Sequence, residues 1–120
     1  MGSPVIRFDI GCRDKKKTTR FYEKAFGWRT SDAAFNTEVD TGSDMGIHGA
    51  ITALGHEPHN YVMIYMEVTD ADAACEKIKA EGGKITIGPI DIPGNGGRFA
   101  WFNDPEGNLL GIFQPADAIQ

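Results

Sequence analysis

Apolar and polar positions along the chain fall into blocks, and the order of blocks occurs twice. Val5, Ile6, Phe8 and Ile10 make a strand-like run broken at alternate positions by Arg7 and Asp9, the period-two pattern of a strand with two unlike faces. Residues 14–26 follow with helical spacing, closed by Gly27. The second half starts again with an apolar run at 61–68, a helical segment from Asp70 to Gly82, and Gly83. Asp14 and Asp70 stand thirteen positions before their closing glycines and fifty-six positions apart. A repeat of this kind decides the fold before any single element does.

Each predicted element has a local cause. Asp14 and Asp70 are short acceptors able to cap the free amides of a first helical turn. Ala71, Ala74, Cys75 and Ile78 form one apolar stripe on the second helix, and Phe21, Tyr22, Ala25 and Phe26 form one on the first. Gly27 supplies a left-handed closing residue. Short strands are expected at 28–31, 34–40 and 46–54, and again at 84–87, 97–103 and 108–114. Asp104-Pro105-Glu106-Gly107-Asn108 reads as a hairpin tip, and Pro93 to Gly97 as a loop. The result is β-α-β-β-β twice: an α+β chain of two modules, about 4–54 and 61–115, with a join at 55–60, together forming one domain over 1–120.

Composition narrows the partners. Twelve basic against seventeen acidic residues give a net charge of −5 in 120 residues. That argues against nucleic acid, which needs a basic surface, and against an anionic membrane face. The one basic run is Arg13 with Lys15, Lys16 and Lys17. No stretch approaches the length of an apolar membrane span, and no basic-then-apolar leader pattern opens the chain. Two cysteines, Cys12 and Cys75, are too few for a disulfide framework; a reducing, cytoplasmic setting is expected.

The doubled βαβββ, with "RFYEKAFGW" closing the first helix and "FNDPEGNLLGIFQP" near the end, resembles the vicinal oxygen chelate superfamily of glyoxalases, bleomycin-resistance proteins and extradiol dioxygenases. The resemblance covers roughly 5–115. It implies paired modules whose curled mixed sheets surround a cavity, usually completed by a homodimer, and sheet edges that need cover point the same way. It also implies a divalent metal held by a His on a module's first strand and a Glu on its last. The positions where those ligands would stand carry Arg7, Met63, Ala50 and Gly111. None is a plausible ligand for such an ion, so no metal and no other cofactor is expected.

Alternation then groups the candidates. Arg7 and Asp9 share a face, as do Met63, Tyr65 and Glu67; if Arg7 fills the ligand position, both sets look into the cavity, while Phe8, Ile10, Ile64 and Met66 pack under the helices. Arg7 and Asp9 either neutralise each other as a half-buried pair, or Arg7 fixes a carbonyl or anionic group of a ligand. His48 shares the face of Ala50 and is the imidazole placed to reach the cavity; with Asp9 it is the candidate acid–base pair. His56 and His59 fall in the join and are expected in solvent. Phe99, Trp101 and Phe113, beside Gly111, line a pocket or fill the sheet core. Asp9 and Glu67 pair only if the modules meet across one cavity. The glycine-rich loop lacks the pattern of a phosphate cradle.

The reading that follows is a metal-free protein that binds a small organic ligand, anchored by Arg7. Two alternatives stand beside it. One is a glyoxalase-like enzyme of lyase, isomerase or dioxygenase type, with an atypical metal or a His48/Asp9 acid–base site. The other is a non-catalytic structural or partner-binding subunit with a filled core.

Overall fold

The computed structural model describes residues 2–116. They fall into two compact units, one of Ile6–Met63 and one that joins the first residues to the chain beyond Ile64. The strands and helices run β1 (Val5–Gly11), α1 (Lys15–Phe26), β2 (Arg29–Asp32), β3 (Thr37–Asp40), β4 (His48–Thr52), β5 (Val62–Glu67), α2 (Ala71–Ala80), β6 (Lys84–Asp91), β7 (Arg98–Asn103) and β8 (Leu109–Gln114). This is the expected doubled βαβββ in an α+β chain.

Within the Ile6–Met63 unit the strands lie in the order β2-β3-β4-β1. β1 runs parallel to β4, and β4, β3 and β2 are antiparallel in turn. Asp14 caps α1, its side chain accepting from the Lys17 amide at 3.0 Å, and Gly27 closes it at φ 70°. Cys12, Val39 and Ile51 are buried against Phe8, Ile10, Tyr22 and Trp28. Tyr22 and Trp28 stack with ring centroids 4.8 Å apart. The expected α1 stripe is only half core. Tyr22 packs inward, whereas Phe21 and Phe26 are 56% and 65% exposed, and no residue of α1 is fully buried.

The expected join at 55–60 and Tyr61, expected to start the second module, are fastened to the end of β1. The Gly11 amide donates to the Tyr61 carbonyl at 2.8 Å. A Cβ on Gly11 would stand 2.2 Å from the Tyr61 ring and 2.8 Å from the His59 carbonyl. His59 is accordingly not in solvent as expected: its side chain is 19% exposed. His56 is exposed.

The second unit repeats the plan in the order β5-β8-β7-β6, with β5 parallel to β8 and the other pairs antiparallel. Asp70 caps α2 by accepting from Ala73 at 3.1 Å, and the buried Gln114 side chain takes the Ala71 amide at 2.7 Å. Ala71, Cys75, Ala100, Phe102 and Ile112 form the core, with Met66, Ala74 and Ile78 against it. β6 runs on to Asp91, four residues past the expected end, because register shifts beyond Ile85 and Ile87 let the strand carry Gly88 and Pro89 without losing its partner. Asp104 holds the β7–β8 turn through the amides of Glu106 and Asn108 and the Asn108 side chain, each at 2.9 Å. Those bonds, Asn108 foremost, keep its carboxyl below the usual carboxylate range.

No helix is long and apolar enough to cross a membrane among the described residues.

Candidate functional site

The sheet of the Ile6–Met63 unit has two chemically opposite faces. Phe8, Ile10, Val39 and Ile51 lie toward α1. The register then places Arg7 beside His48, Asp9 beside Ala50, and Ala50 beside Glu38, so these side chains share the face turned from the helix, with Thr52 two residues beyond Ala50. A half-covered sheet is ordinarily polar on its outer side. What is not ordinary is a carboxylate there that is only 6% exposed: Asp9.

Burying Asp9 unpaired would be costly, and the chain offers hydroxyl donors. Thr52 Oγ1 donates to Asp9 Oδ1 at 2.8 Å, and Tyr61 Oη to Oδ2 at 3.3 Å. Burial dominates and pushes the carboxyl above its ordinary value; the Thr52 bond, the Arg7 charge and the Tyr61 bond oppose it.

The anticipated Arg7–Asp9 ion pair is replaced by another. Arg7 Nη2 lies 3.3 Å from Glu38 Oε2, the two side chains being 32% and 44% exposed. Arg7 reaches from β1 across β4 to β3, and Ala50, a methyl group directly between Asp9 and Glu38 in register, leaves that path open. Glu38 engages one Nη of a guanidinium that has five N–H donors.

His48 shares the expected face but is committed elsewhere. Its Nδ1 accepts from the Thr41 amide at 3.0 Å and stands 3.5 Å from Asp40 Oδ1. It thereby closes the β3–β4 connection, where the Gly42 amide, with lesser help from Arg29 and His48, holds Asp40 below the usual carboxylate range. Asp9's hydrogen-bond partners are Thr52 and Tyr61, not His48.

The remaining candidates, apart from Met63 at the end of the first unit (2% exposed), belong to the second. There Tyr65 pairs with Gly111, Gly111 with Trp101, and Phe99 with Phe113, while Glu67 lies beside Phe113. The register that the sequence left open is thus fixed: this aromatic set shares the face turned from α2. Trp101 is 4% exposed and donates from Nε1 to the Tyr65 hydroxyl at 2.6 Å.

At the four positions where the resemblance places metal ligands, Arg7 is a cation already on a carboxylate, Ala50 and Gly111 carry no donor, and Met63 offers only a buried thioether. Among the described residues, no group of three or more His, Cys, Asp or Glu is gathered closely enough to hold a metal ion. Cys12 and Cys75 are both buried and free, and burial pushes the Cys75 thiol up, away from nucleophilic use.

Glu38, Thr52, Tyr61 and Gly11 were not anticipated. Thr52 was accessible to the period-two count, two residues past Ala50 on the same strand; Glu38 was not, because only the β3–β4 register sets it beside Ala50. Tyr61 was not, because it reaches Asp9 through space that only a glycine at position 11 leaves open.

The comparisons with known proteins agree with this fold. The family model for the Glyoxalase/Bleomycin resistance protein/Dioxygenase superfamily matches residues 5–112. CFP32 of Mycobacterium tuberculosis, provisionally named a glyoxylase, is 34% identical over 80% of this chain and 38% of its own length. A lactoylglutathione lyase of Escherichia coli O157:H7 is 30% identical over 78% of this chain and 62% of its own. The chain therefore spans less than two thirds of these relatives. Among solved structures, methylmalonyl-CoA epimerase from M. tuberculosis superposes with a TM-score of 0.65 at 14% identity, covering 92% of this chain and 87% of that one. At that identity the likeness is one of fold.

Proposed function

The chain belongs to the Glyoxalase/Bleomycin resistance protein/Dioxygenase superfamily, and on that premise we propose that it binds a small organic molecule on the polar face of the Ile6–Met63 sheet, without a metal. Arg7 is the anchor for a carboxylate or carbonyl oxygen of that ligand. The observation that carries this reading is the buried Asp9 held by Thr52 and Tyr61 beside a guanidinium with donors to spare. Polar side chains are ordinary on an outer sheet face, but a carboxylate as buried as Asp9 is not, since burial of a charge is costly unless it is partnered. A guanidinium binds planar oxygen pairs through two parallel N–H donors, and its half-exposed position leaves it within reach of solvent and solute.

The same geometry supports a second reading in which bound ligand is also turned over. Asp9, its carboxyl raised above the ordinary value by burial, is a group that can accept a proton and return it, with Tyr61 on its second oxygen. His48, held by Thr41 and Asp40, has no part in that step. The relatives named for a lyase and a glyoxylase fit an enzyme of this kind.

A thermal-shift screen of small carbonyl, carboxylate and aromatic compounds tests binding. A ligand at about a hundred times its Kd stabilises the fold by about 2.7 kcal/mol. Compounds with an oxygen acceptor should shift the parent and not Arg7→Met; shifts that survive in Arg7→Met, or none at all, defeat the reading. Turnover of a bound compound that is lost in Asp9→Asn distinguishes the enzyme from the binder.

A further inference from the structure

The only basic run in the sequence has no role in the face described above. Lys15, Lys16 and Arg20 project from the first half of α1 into an open pocket of about 350 Å³ that lies between this helix and β2 and β3, within the Ile6–Met63 unit. We propose that this pocket is a second, separate site, and that it takes a phosphate monoester with a small hydroxylated body.

The charge arrangement selects an anion. Two carboxylates also line the pocket, each accepting from a threonine hydroxyl, Glu23 from Thr30 and Asp32 from Thr37 at 3.0 Å; against the three cations they leave the lining with a net positive charge. None of the three cations forms an ion pair or a side-chain hydrogen bond among the described residues. Thr19, on the same helical face one turn from Lys15 and Lys16, has a buried Oγ1 without a hydrogen-bond partner, and a buried hydroxyl normally has one. The chain thus presents three unpaired cations and an unmatched hydroxyl to one cavity. The helix end itself is not the attraction, because Asp14 has already taken the Lys17 amide.

The kind of anion follows from donor number and lining. A phosphate monoester carries close to two negative charges at neutral pH and three acceptor oxygens, enough to engage several cations and a hydroxyl together; a carboxylate has one charge and two oxygens. All the lining residues are charged or hydroxylic, so a hydroxylated body meets hydrogen-bonding groups beside the alkyl stems of the lysines and threonines, and Ser31, Glu23 and Asp32 can hydrogen-bond a polyol.

Isothermal titration calorimetry with glycerol 3-phosphate, inorganic phosphate and glycerol tests the site. Glycerol 3-phosphate should bind saturably and more tightly than inorganic phosphate, with glycerol silent. The double variant Lys15→Gln/Arg20→Gln, at two positions that are not buried, should leave the circular dichroism unchanged and weaken binding by about tenfold or more. Thr19→Val should weaken it without a change in charge, and Arg7→Met should leave it intact. Absence of saturable heat, equal affinity in the double variant, or loss in Arg7→Met would each overturn the proposal. Equal affinity for inorganic phosphate would overturn the hydroxylated body.

Discussion

The Tyr61 ring occupies the space that a side chain on Gly11 would need, and from there its hydroxyl stands 3.3 Å from the Asp9 carboxylate. A backbone position with no Cβ thus sets the hydrogen bonding of a buried acid two residues earlier on the same strand. Gly11→Ala must displace the ring. The expected cost is about 1–3 kcal/mol, as for other overpacked sites, read as a fall in the urea midpoint. Tyr61→Phe keeps the ring and loses only the hydroxyl, so it should cost less than Gly11→Ala.

Asp9 makes stability depend on pH in an uncommon direction. Burial raises its folded pKa above the ordinary 3.8, so the folded chain holds the proton more tightly than the unfolded chain. Its favourable contribution is complete below 3.8 and is lost as pH rises through the folded value. Stability from this group therefore declines with rising pH across that window. Asp9→Asn should abolish that slope and be at least as stable as the parent at pH 7, checked by urea unfolding from pH 4 to 8.

Arg7 and Glu38 should separate stability from binding. Their half-exposed pair is worth about 0–1 kcal/mol, so neither Arg7→Met nor Glu38→Gln should shift the midpoint by more than that. On ligand affinity they should act oppositely: Arg7→Met abolishes it, and Glu38→Gln strengthens it by releasing the guanidinium. Thermal shifts on both variants check this.

Gln114 is a stability residue of the second unit. Its buried Oε1 takes the Ala71 amide at 2.7 Å, an amide at the start of α2 that has no partner within its own helix. Gln114→Ala should cost about 1–3 kcal/mol, the price of an orphaned buried donor, with ligand affinity unchanged.

Much of this was legible in the sequence where local chemistry decides. Asp14, Asp70 and Gly27 declared their caps, and the Asp104 turn its hydrogen bonds, because each depends on residues a few positions away. Period two placed Arg7, Asp9 and His48 on one face. Partnership was not legible. Arg7 reaches Glu38, thirty-one residues on, only because strand order puts β4 with its small Ala50 between them. His48 turns to the Thr41 amide because the β3–β4 connection folds back over it. Phe21 and Phe26 kept helical spacing yet remain exposed, Phe26 being the last residue of the helix.

The central claim is that Arg7 on the polar sheet face anchors the ligand. It is tested most directly by following the arginine Nε–Hε signals of the ¹⁵N-labelled protein by NMR while titrating the compound that gives the largest thermal shift. The account predicts that the Arg7 signal, assigned by its loss in Arg7→Met, moves saturably together with the backbone amides of Asp9, Ala50 and Thr52. An unmoved Arg7 signal at saturation, with the shifts gathered elsewhere, would contradict it.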